Sequence, residues 1–390
     1  MANISQQDTK VSTAASQAAA EPALPGRQRR PLGGEAGEGR FGGVSLIIAP
    51  QWIGDAVMTE PLMRRLRARG QRLTVGALPW VAPVYRAMPS VAEVMEFPFA
   101  HGGLQLAARR SIAKQMKSRS EPFDAAYVLP NSLKSSLLPF LAGIPNRIGY
   151  LGEARVGLLT HRLKNPTKSA NKPPMVAFYS ALSGDEDAKT GYRADRPQLQ
   201  LNDVEVQTTL AELGLQRGGY VVFSPGAEFG PAKRWPVSHF VDLALKLDVP
   251  VVLLGSGKEF ELCESIAAPV NAQFSGQFSV KCLNLAGKTS LAGAFAVISA
   301  AKSVVSNDSG LMHVAAALGV PQVAIFGSSS PLHTPPLNDV AQVLWLKNEP
   351  SYQPPLDCAP CFERECPLGH TRCLNDISAT DVLKKIVTSP

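Results

Sequence analysis

The residues best suited to chemistry lie in a short polar run, Ser306-Asn307-Asp308-Ser309-Gly310, between a strand pattern and an apolar helix pattern. Free backbone N–H groups at a helix start, together with the helix dipole, favour a negatively charged ligand. His313 comes about one turn later and is expected to face the same point. The run is therefore either a diphosphate seat with a carboxylate beside it, or an ordinary helix start capped by Asp308 or Ser309.

Two further charged residues come shortly after buried strand patterns. Asp55 follows the apolar run at 44–50, and Lys233 lies in a loop between Pro231 and Pro236. Asp55 is either a helix N-cap or a general base at the mouth of a cleft. Lys233 is either a surface cation or a group that neutralises a leaving diphosphate. The position of Asp55 after its strand, like that of Asp308, makes both carboxylates candidates for a cleft.

A third group of reactive side chains is crowded near the C-terminus. It comprises four cysteines and one histidine: Cys358, Cys361, Cys366, His370 and Cys373. Tetrahedral zinc needs four such ligands, and a closed site of this kind is structural. The alternative is a loop of reduced thiols. Six cysteines in 390 residues do not form a secreted disulfide framework, so we expect a cytoplasmic protein.

Composition indicates a folded protein with an anionic partner. Hydrophobic residues make up 45% of the chain, charged residues 18%, and the net charge is +7. The basic clusters, including Arg109-Arg110, are interpreted as solvated helix faces. They lack the interleaved aromatic residues of nucleic-acid grooves, so no nucleic-acid partner is expected. Residues 1–42 are predicted to be a disordered leader without the apolar core of a secretory signal.

The elements that position these residues alternate between strand and helix patterns in two blocks, which predicts an α/β protein with doubly wound parallel sheets. We expect one Rossmann-like domain over 43–200 and a second over 201–376, the latter carrying a Cys-rich loop at 357–374. Neither block contains a G-x-G-x-x-G or a G-x-x-x-x-G-K-[ST] pattern. Their absence argues against a hydride-transfer dehydrogenase and against a P-loop enzyme.

Several segments together are similar to one family, the ADP-heptose:lipopolysaccharide heptosyltransferases of glycosyltransferase family 9. The segments that carry the resemblance are Trp52-Ile-Gly-Asp-Ala-Val-Met58, Tyr127-Val-Leu-Pro-Asn-Ser-Leu-Lys-Ser135, Ala142-Gly-Ile-Pro145, Pro225-Gly-Ala-Glu-Phe-Gly-Pro-Ala-Lys-Arg-Trp-Pro236, Asn307-Asp-Ser-Gly-Leu-Met-His-Val-Ala-Ala-Ala317, and Ser328-Ser-Ser-Pro331 with Thr334-Pro-Pro336. The resemblance covers about residues 44 to 388. The Cys-rich segment is similar to one in many, not all, of these proteins.

The resemblance implies a GT-B fold, in which two Rossmann-like domains face each other across a cleft. The N-terminal domain would bind the acceptor and the C-terminal domain the ADP-sugar. The helix at 377–390 would pack back on the N-terminal domain. The implied reaction is an inverting transfer of heptose from ADP-L-glycero-D-manno-heptose to the first heptose of heptosyl-Kdo2-lipid A. It would occur at the cytoplasmic face of the inner membrane, without a cofactor for the chemistry.

The resemblance also assigns roles to residues of this chain. Asp55 would deprotonate the acceptor hydroxyl, and Lys233 would balance the diphosphate of the departing ADP. Ser309 and Gly310 would present N–H groups to the phosphates, with His313 nearby. Asp308 would hold hydroxyls of the transferred heptose. Lys134 would contact the anionic acceptor.

The chain departs from the family pattern in its leader and at Gly327-Ser328, where relatives often carry Gly-Pro. Neither departure affects a proposed catalytic group. Two alternatives stay open at this point. One is transfer at another heptose position, as by heptosyltransferase I or III. The other is a non-catalytic module that binds nucleotides or anionic glycolipids through a zinc-held loop.

Overall fold

The computed structural model describes residues 43–99, 103–166, 172–189, 195–274 and 281–387. The predicted disordered leader at 1–42 lies outside these ranges. Within them no helix combines the length and the apolarity that a bilayer span requires.

The N-terminal half forms a six-stranded parallel sheet whose strands lie in the order β3-β2-β1-β4-β5-β6. The strands are β1 (Gly43–Ile48), β2 (Gln71–Ala77), β3 (Glu93–Glu96), β4 (Ala125–Val128), β5 (Asn146–Tyr150) and β6 (His161–Leu163). Ile48 pairs with Gly76 on one side and with Val128 on the other, so the central strands end at the same level. Apolar residues fill these strands because helices cover both faces of the sheet.

The C-terminal half repeats this topology with the order β12-β11-β10-β7-β8-β9. The strands are β7 (Val221–Ser224), β8 (Val251–Leu253), β9 (Cys282–Asn284), β10 (Ser303–Asn307), β11 (Gln322–Ile325) and β12 (Ala341–Leu344). Renumbered within each half, both sheets have the Rossmann order 3-2-1-4-5-6. In each sheet, strands one to three are added toward one edge and strands four to six toward the other edge. Ligands of such sheets bind between the first and fourth strands, where this order reverses.

Thirteen helices are assigned in the described residues. In the N-terminal half they are α1 (Ile53–Met58), α2 (Glu60–Ala68), α3 (Ala82–Arg86), α4 (Leu106–Lys117), α5 (Leu133–Leu141) and α6 (Met175–Ser180). The C-terminal half contains α7 (Asp203–Glu212), α8 (Val237–Lys246), α9 (Phe260–Gln273), α10 (Leu291–Ser299), α11 (Gly310–Ala317), α12 (Arg372–Asn375) and α13 (Ala379–Val387). Helix α7 is not predicted from the sequence; it begins after Asn202, whose side chain accepts the N–H of Val204.

The two halves share one hydrophobic core. Val57 of α1 and Tyr85 of α3 belong to the same buried cluster as Val304 of β10 and Val314 of α11. Helix α1 packs directly against α11. The loop after β1 therefore lies against the loop after β10.

The expectation that residues 377–390 pack back on the N-terminal domain is wrong for the described part of that segment. Helix α13 contacts α8 and β11 of the C-terminal half. Its Val382 is fully buried in one cluster with Trp235 and Phe240, and Trp235 donates its indole N–H to the carbonyl of Ile377 over 2.9 Å. The apolar face of α13 therefore packs against the C-terminal half, to which α13 itself belongs.

Candidate active site

The residues predicted to do chemistry meet where the two halves touch. Asp55 lies in the first turn of α1, directly beyond β1. Lys233 ends the short 3₁₀ turn Pro231–Lys233 in the loop after β7, and Asp308 immediately follows β10. β1 and β7 are the first strands of their sheets, and β10 is the fourth strand of the second sheet. Each of them lies where the strand order of its sheet reverses, so the fold brings the three side chains to the expected ligand position.

Two glycines allow the loops to approach this closely. A Cβ on Gly54 would lie 2.8 Å from Cδ2 of His313, and a Cβ on Gly310 would lie 2.9 Å from Cβ of Ile53. Both distances are shorter than ordinary van der Waals contact. The N-terminal ends of α1 and α11 are therefore in direct contact only because both positions lack a side chain.

The carboxyl group of Asp55 has the properties of a general base. The hydroxyl of Tyr179 donates a hydrogen bond to its Oδ1 over 3.1 Å. The net effect of its surroundings raises the pKa of Asp55 to about 6. Burial raises this pKa most, the Tyr179 hydrogen bond lowers it, Asp308 raises it and Lys233 lowers it. A carboxylate with this pKa is mostly ionised at neutral pH and is still basic enough to take a proton from a reacting hydroxyl.

Lys233 and Asp308 form an ion pair in the second half of the site. Nζ of Lys233 contacts Oδ2 of Asp308, which is only 6% exposed. Oδ1 of Asp308 accepts a hydrogen bond from Oγ1 of Thr334 over 3.4 Å. The cation also lies 5.1 Å from the ring centroid of Phe229. Lys233, which is predicted to bind the diphosphate, and Asp308, which is predicted to bind the heptose, are thus in direct contact with each other.

The start of α11 corrects the capping prediction. Ser309 is the N-cap residue, but neither it nor Asp308 caps the helix through its side chain. The Asp308 carboxylate is bound to Lys233 instead, and the Ser309 hydroxyl is buried without a hydrogen-bond partner among the described residues. The first-turn N–H groups are therefore not occupied by a side-chain cap and favour an anion.

Other buried hydroxyl groups line the same region and were not among the predicted site residues. Those of Ser328 and Ser329 are buried and have no partner in the part of the chain that is described. Ser328 donates its backbone N–H to the carbonyl of Ala232, directly before Lys233. Unpaired buried hydroxyls next to a cation are suited to a polar ligand, because leaving them unpaired is unfavourable.

His313 lies beside this cluster, as expected, but as a neutral side chain. It is 5% exposed, and burial lowers its pKa to about 4, although Asp308 acts to raise it. It therefore carries no positive charge at neutral pH and contacts the loop of Asp55 through its ring.

Lys134 lies apart from these residues. It occupies the first turn of α5 and lines a pocket at the carboxyl end of the first sheet, together with Gln51 of the Asp55 loop. Its predicted contact with an acceptor is thus separated from the ion pair of Lys233 and Asp308.

The Cys-rich loop supports the Lys233 loop through its backbone. The carbonyl of Arg364 accepts the N–H of Ala232 over 3.0 Å, and the N–H of Phe362 bonds to the carbonyl of Ser328 over 2.7 Å. These contacts connect the segment between the cysteines to the residue before Lys233 and to the buried hydroxyl residue Ser328.

The four cysteines of this loop are free thiols that influence one another. The pKa of Cys373 is raised to about 11, most by burial and then by Cys366, Cys358 and Cys361. Among the described residues, no three His, Cys, Asp or Glu side chains are arranged to hold a metal ion. The zinc prediction for Cys358, Cys361, Cys366, His370 and Cys373 therefore stays a prediction.

Comparison with known proteins shows which family the chain resembles. Residues 109–372 match the model of glycosyltransferase family 9 (heptosyltransferase). The chain is 42% identical over 315 residues to lipopolysaccharide heptosyltransferase 2 of Escherichia coli (strain K12), covering 77% of this chain and 87% of that protein. It is 37% identical over 316 residues to lipooligosaccharide heptosyltransferase 2 of Haemophilus influenzae, covering 77% and 88%.

A solved structure is similar over almost its whole length. The structure of E. coli ADP-heptose lps heptosyltransferase II superposes with a TM-score of 0.73 at 37% identity, covering 88% of this chain and 97% of that one. Two Rossmann-like halves joined in this way define a glycosyltransferase of the GT-B fold. The chain belongs to glycosyltransferase family 9, the heptosyltransferase family.

Proposed function

We propose that the protein transfers heptose from ADP-L-glycero-D-manno-heptose to the first heptose of the lipopolysaccharide inner core, in heptosyl-Kdo2-lipid A, with inversion at the anomeric carbon. The observation that carries this proposal is the contact between the two loops. It places a carboxylate with a pKa of about 6, Asp55, against an uncapped helix start flanked by Lys233. The names of the two relatives and of the similar structure support the choice of donor and acceptor.

The reaction needs one base and one place for negative charge. The acceptor hydroxyl oxygen forms a bond to the anomeric carbon while its proton passes to Asp55. The bond from that carbon to the diphosphate oxygen breaks, and its electron pair leaves with ADP. The first-turn N–H groups of Ser309 and Gly310 and the ammonium of Lys233 receive the developing charge.

The ion pair of Lys233 and Asp308 gives the donor site two states. When a diphosphate binds, Lys233 gains a more highly charged partner and Asp308 is released to accept hydrogen bonds from heptose hydroxyls. In the absence of the donor, each side chain neutralises the other, so neither charge is buried alone. Donor binding and sugar recognition are coupled in this way.

The acceptor is a membrane lipid, so we propose peripheral action at the cytoplasmic face of the inner membrane. The net charge of +7 supports attraction to a surface that carries phosphate and carboxylate groups. ADP-heptose and the anionic lipid A-core acceptor are the proposed partners, and nucleic acid is not one of them.

A transfer assay with ADP-heptose and an acceptor bearing one heptose tests the proposal. We expect stoichiometric ADP release and a product heavier by one heptose. Acceptors bearing no heptose or two heptoses separate this activity from those of heptosyltransferases I and III. Absence of ADP release with every acceptor, despite ADP binding, would instead support the non-catalytic module.

The assignment of Asp55 is tested in the same assay. Asp55→Ala is expected to abolish transfer while ADP-heptose affinity stays close to that of the unchanged protein, because the base contacts the acceptor and not the nucleotide. Turnover by this variant at a similar rate would show that another group takes the proton.

A further inference from the structure

A pocket opens at the carboxyl end of the first sheet, beside the loop that carries Asp55. Its walls are mainly apolar and include Ile48, Phe97 and Leu138. Two cationic residues, Arg109 and Lys134, also line it, and none of its described lining residues is Asp or Glu. The pocket therefore combines apolar surface with uncompensated positive charge.

Arg109 is the unusual member of this pocket. It is only 6% exposed, although the basic cluster in the sequence predicts a solvated helix face. That interpretation is wrong for Arg109 and fits Arg110, which is exposed, because neighbouring residues point in different directions on a helix. Nε of Arg109 donates to the carbonyl of Leu104 over 2.8 Å, and its guanidinium lies 4.2 Å from the ring centroid of Phe99.

No carboxylate compensates this buried charge within the described residues. Arg109 takes part in none of the ion pairs there. Burial lowers its pKa, and no acidic neighbour raises it. A buried, unpaired cation is unfavourable for folding, and an anionic ligand would remove that cost.

Lys134 places a second cation on the same pocket. It is half-buried in the first turn of α5, and among the described residues it forms no ion pair. The nearby carboxylate of Glu153 accepts the N–H of Leu133 over 2.8 Å and does not line the pocket. Two cations from different helices, α4 and α5, thus face one space.

We propose that Arg109, with Lys134, binds an acidic group of the acceptor sugar chain in this pocket. The inference rests on the proposed function. A guanidinium binds a carboxylate or a phosphate through two parallel hydrogen bonds. The apolar walls supply the surface on which the carbon face of a sugar ring packs. Gln51 lines the pocket and belongs to the Asp55 loop.

Two matched variants test the role of Arg109. Arg109→Gln and Arg110→Gln remove the same charge from adjacent positions of α4. For Arg109→Gln we expect KM for the acceptor to rise about 10- to 100-fold, the range for removal of a hydrogen bond to a charged group. KM for ADP-heptose and kcat are expected to change little. Arg110→Gln is expected to leave all three constants within about twofold.

Chemically modified acceptors identify the acidic group. With the unchanged protein, an acceptor whose sugar carboxyl groups are reduced, or one whose phosphates are removed, should reproduce the rise in KM. The modification that removes the true partner of Arg109 should cause little further loss in Arg109→Gln. If both modifications leave KM unchanged in the unchanged protein, the proposal is overturned, whether or not the variant folds.

A binding measurement separates this inference from the proposed function. The deacylated acceptor oligosaccharide is titrated into the protein and into Arg109→Gln, and its Kd is measured without any turnover. Weaker binding by the variant supports the pocket even if no heptose is transferred, and equal binding overturns it. Lack of transfer by the unchanged protein counts only against the proposed reaction.

Discussion

The hydrogen bond from Tyr179 to Asp55 is expected to set the pH range in which the protein works. Tyr179→Phe removes the hydroxyl that donates to Oδ1 of Asp55 and leaves the aromatic ring in place. Tyr179 is buried, and burial together with Asp55 raises its own pKa far above the usual value, so its hydroxyl remains a donor. Loss of that donor destabilises the ionised form of Asp55 and raises its pKa further.

The size of the shift follows from the hydrogen bond. A hydrogen bond to a charged group contributes about 1.5 to 3 kcal/mol, and one pKa unit corresponds to about 1.4 kcal/mol, so the shift is about one to two units. The pKa of Asp55 would move from about 6 to between about 7 and 8. At pH 7 the ionised fraction would fall from about 90% to between about 50% and 10%.

The assay is the pH dependence of kcat/KM for transfer, from about pH 5 to about pH 9. Asp55 must be ionised to act, so the rate falls as the pH drops through the pKa of Asp55. For the unchanged protein this decline is expected near pH 6. For Tyr179→Phe it should begin about one to two pH units higher, with a two- to tenfold loss at pH 7 and near-complete recovery at pH 9.

The control is Tyr150→Phe. Tyr150 is a buried tyrosine that stacks on Phe178 and donates to the backbone carbonyl of that residue over 2.6 Å, without contacting Asp55. This variant should lower thermal stability and leave the pH profile in place. A profile that does not move in Tyr179→Phe, or that falls equally at every pH, would refute the claim that Tyr179 tunes the base.

Three further predictions concern the donor side of the site. Lys233→Met should weaken ADP binding about 10- to 100-fold in calorimetry while adenosine binding stays unchanged, because the ammonium group binds the diphosphate and not the nucleoside; equal losses for both ligands would contradict it. Gly310→Ala should reduce kcat because its Cβ would meet that of Ile53 at 2.9 Å. Adding Ile53→Gly to this variant should restore part of the rate, and an unchanged kcat in Gly310→Ala alone would show that the loops separate freely. For the zinc hypothesis, we expect about one zinc per chain in the purified protein, and both the metal and several degrees of Tm should be lost in Cys366→Ser; a metal-free preparation with the same Tm would reject the hypothesis.

The general architecture was predictable because its signals are local. Apolar runs such as 44–50 are short enough for buried strands and alternate with helix patterns, which is typical of parallel sheets. The positions of Asp55 and Asp308 after their strands then indicated one edge of each sheet. The packing of α13 was not predictable in this way, since its apolar face could bury against either half.

Tyr179 and Arg109 show why part of the site could not be predicted. Tyr179 lies 124 residues from Asp55 in the chain, and nothing in the sequence around it indicates that contact. Arg109 stands next to Arg110 in a basic helix, and the sequence does not show which of the two faces inward. In both cases the decisive fact is how the segment packs in the folded chain.

The sequence by itself determined the class of fold, the two blocks of alternating elements and the residue types available at the ends of the strands. Strand formation and helix breaks depend on residues near one another in the chain. The tertiary structure alone decided that Lys233 pairs with Asp308, that Tyr179 bonds to Asp55 and that Arg109 is buried without a counter-ion in the part of the chain that is described. These facts depend on which surfaces of two sheets meet, and burial and pKa follow from that packing.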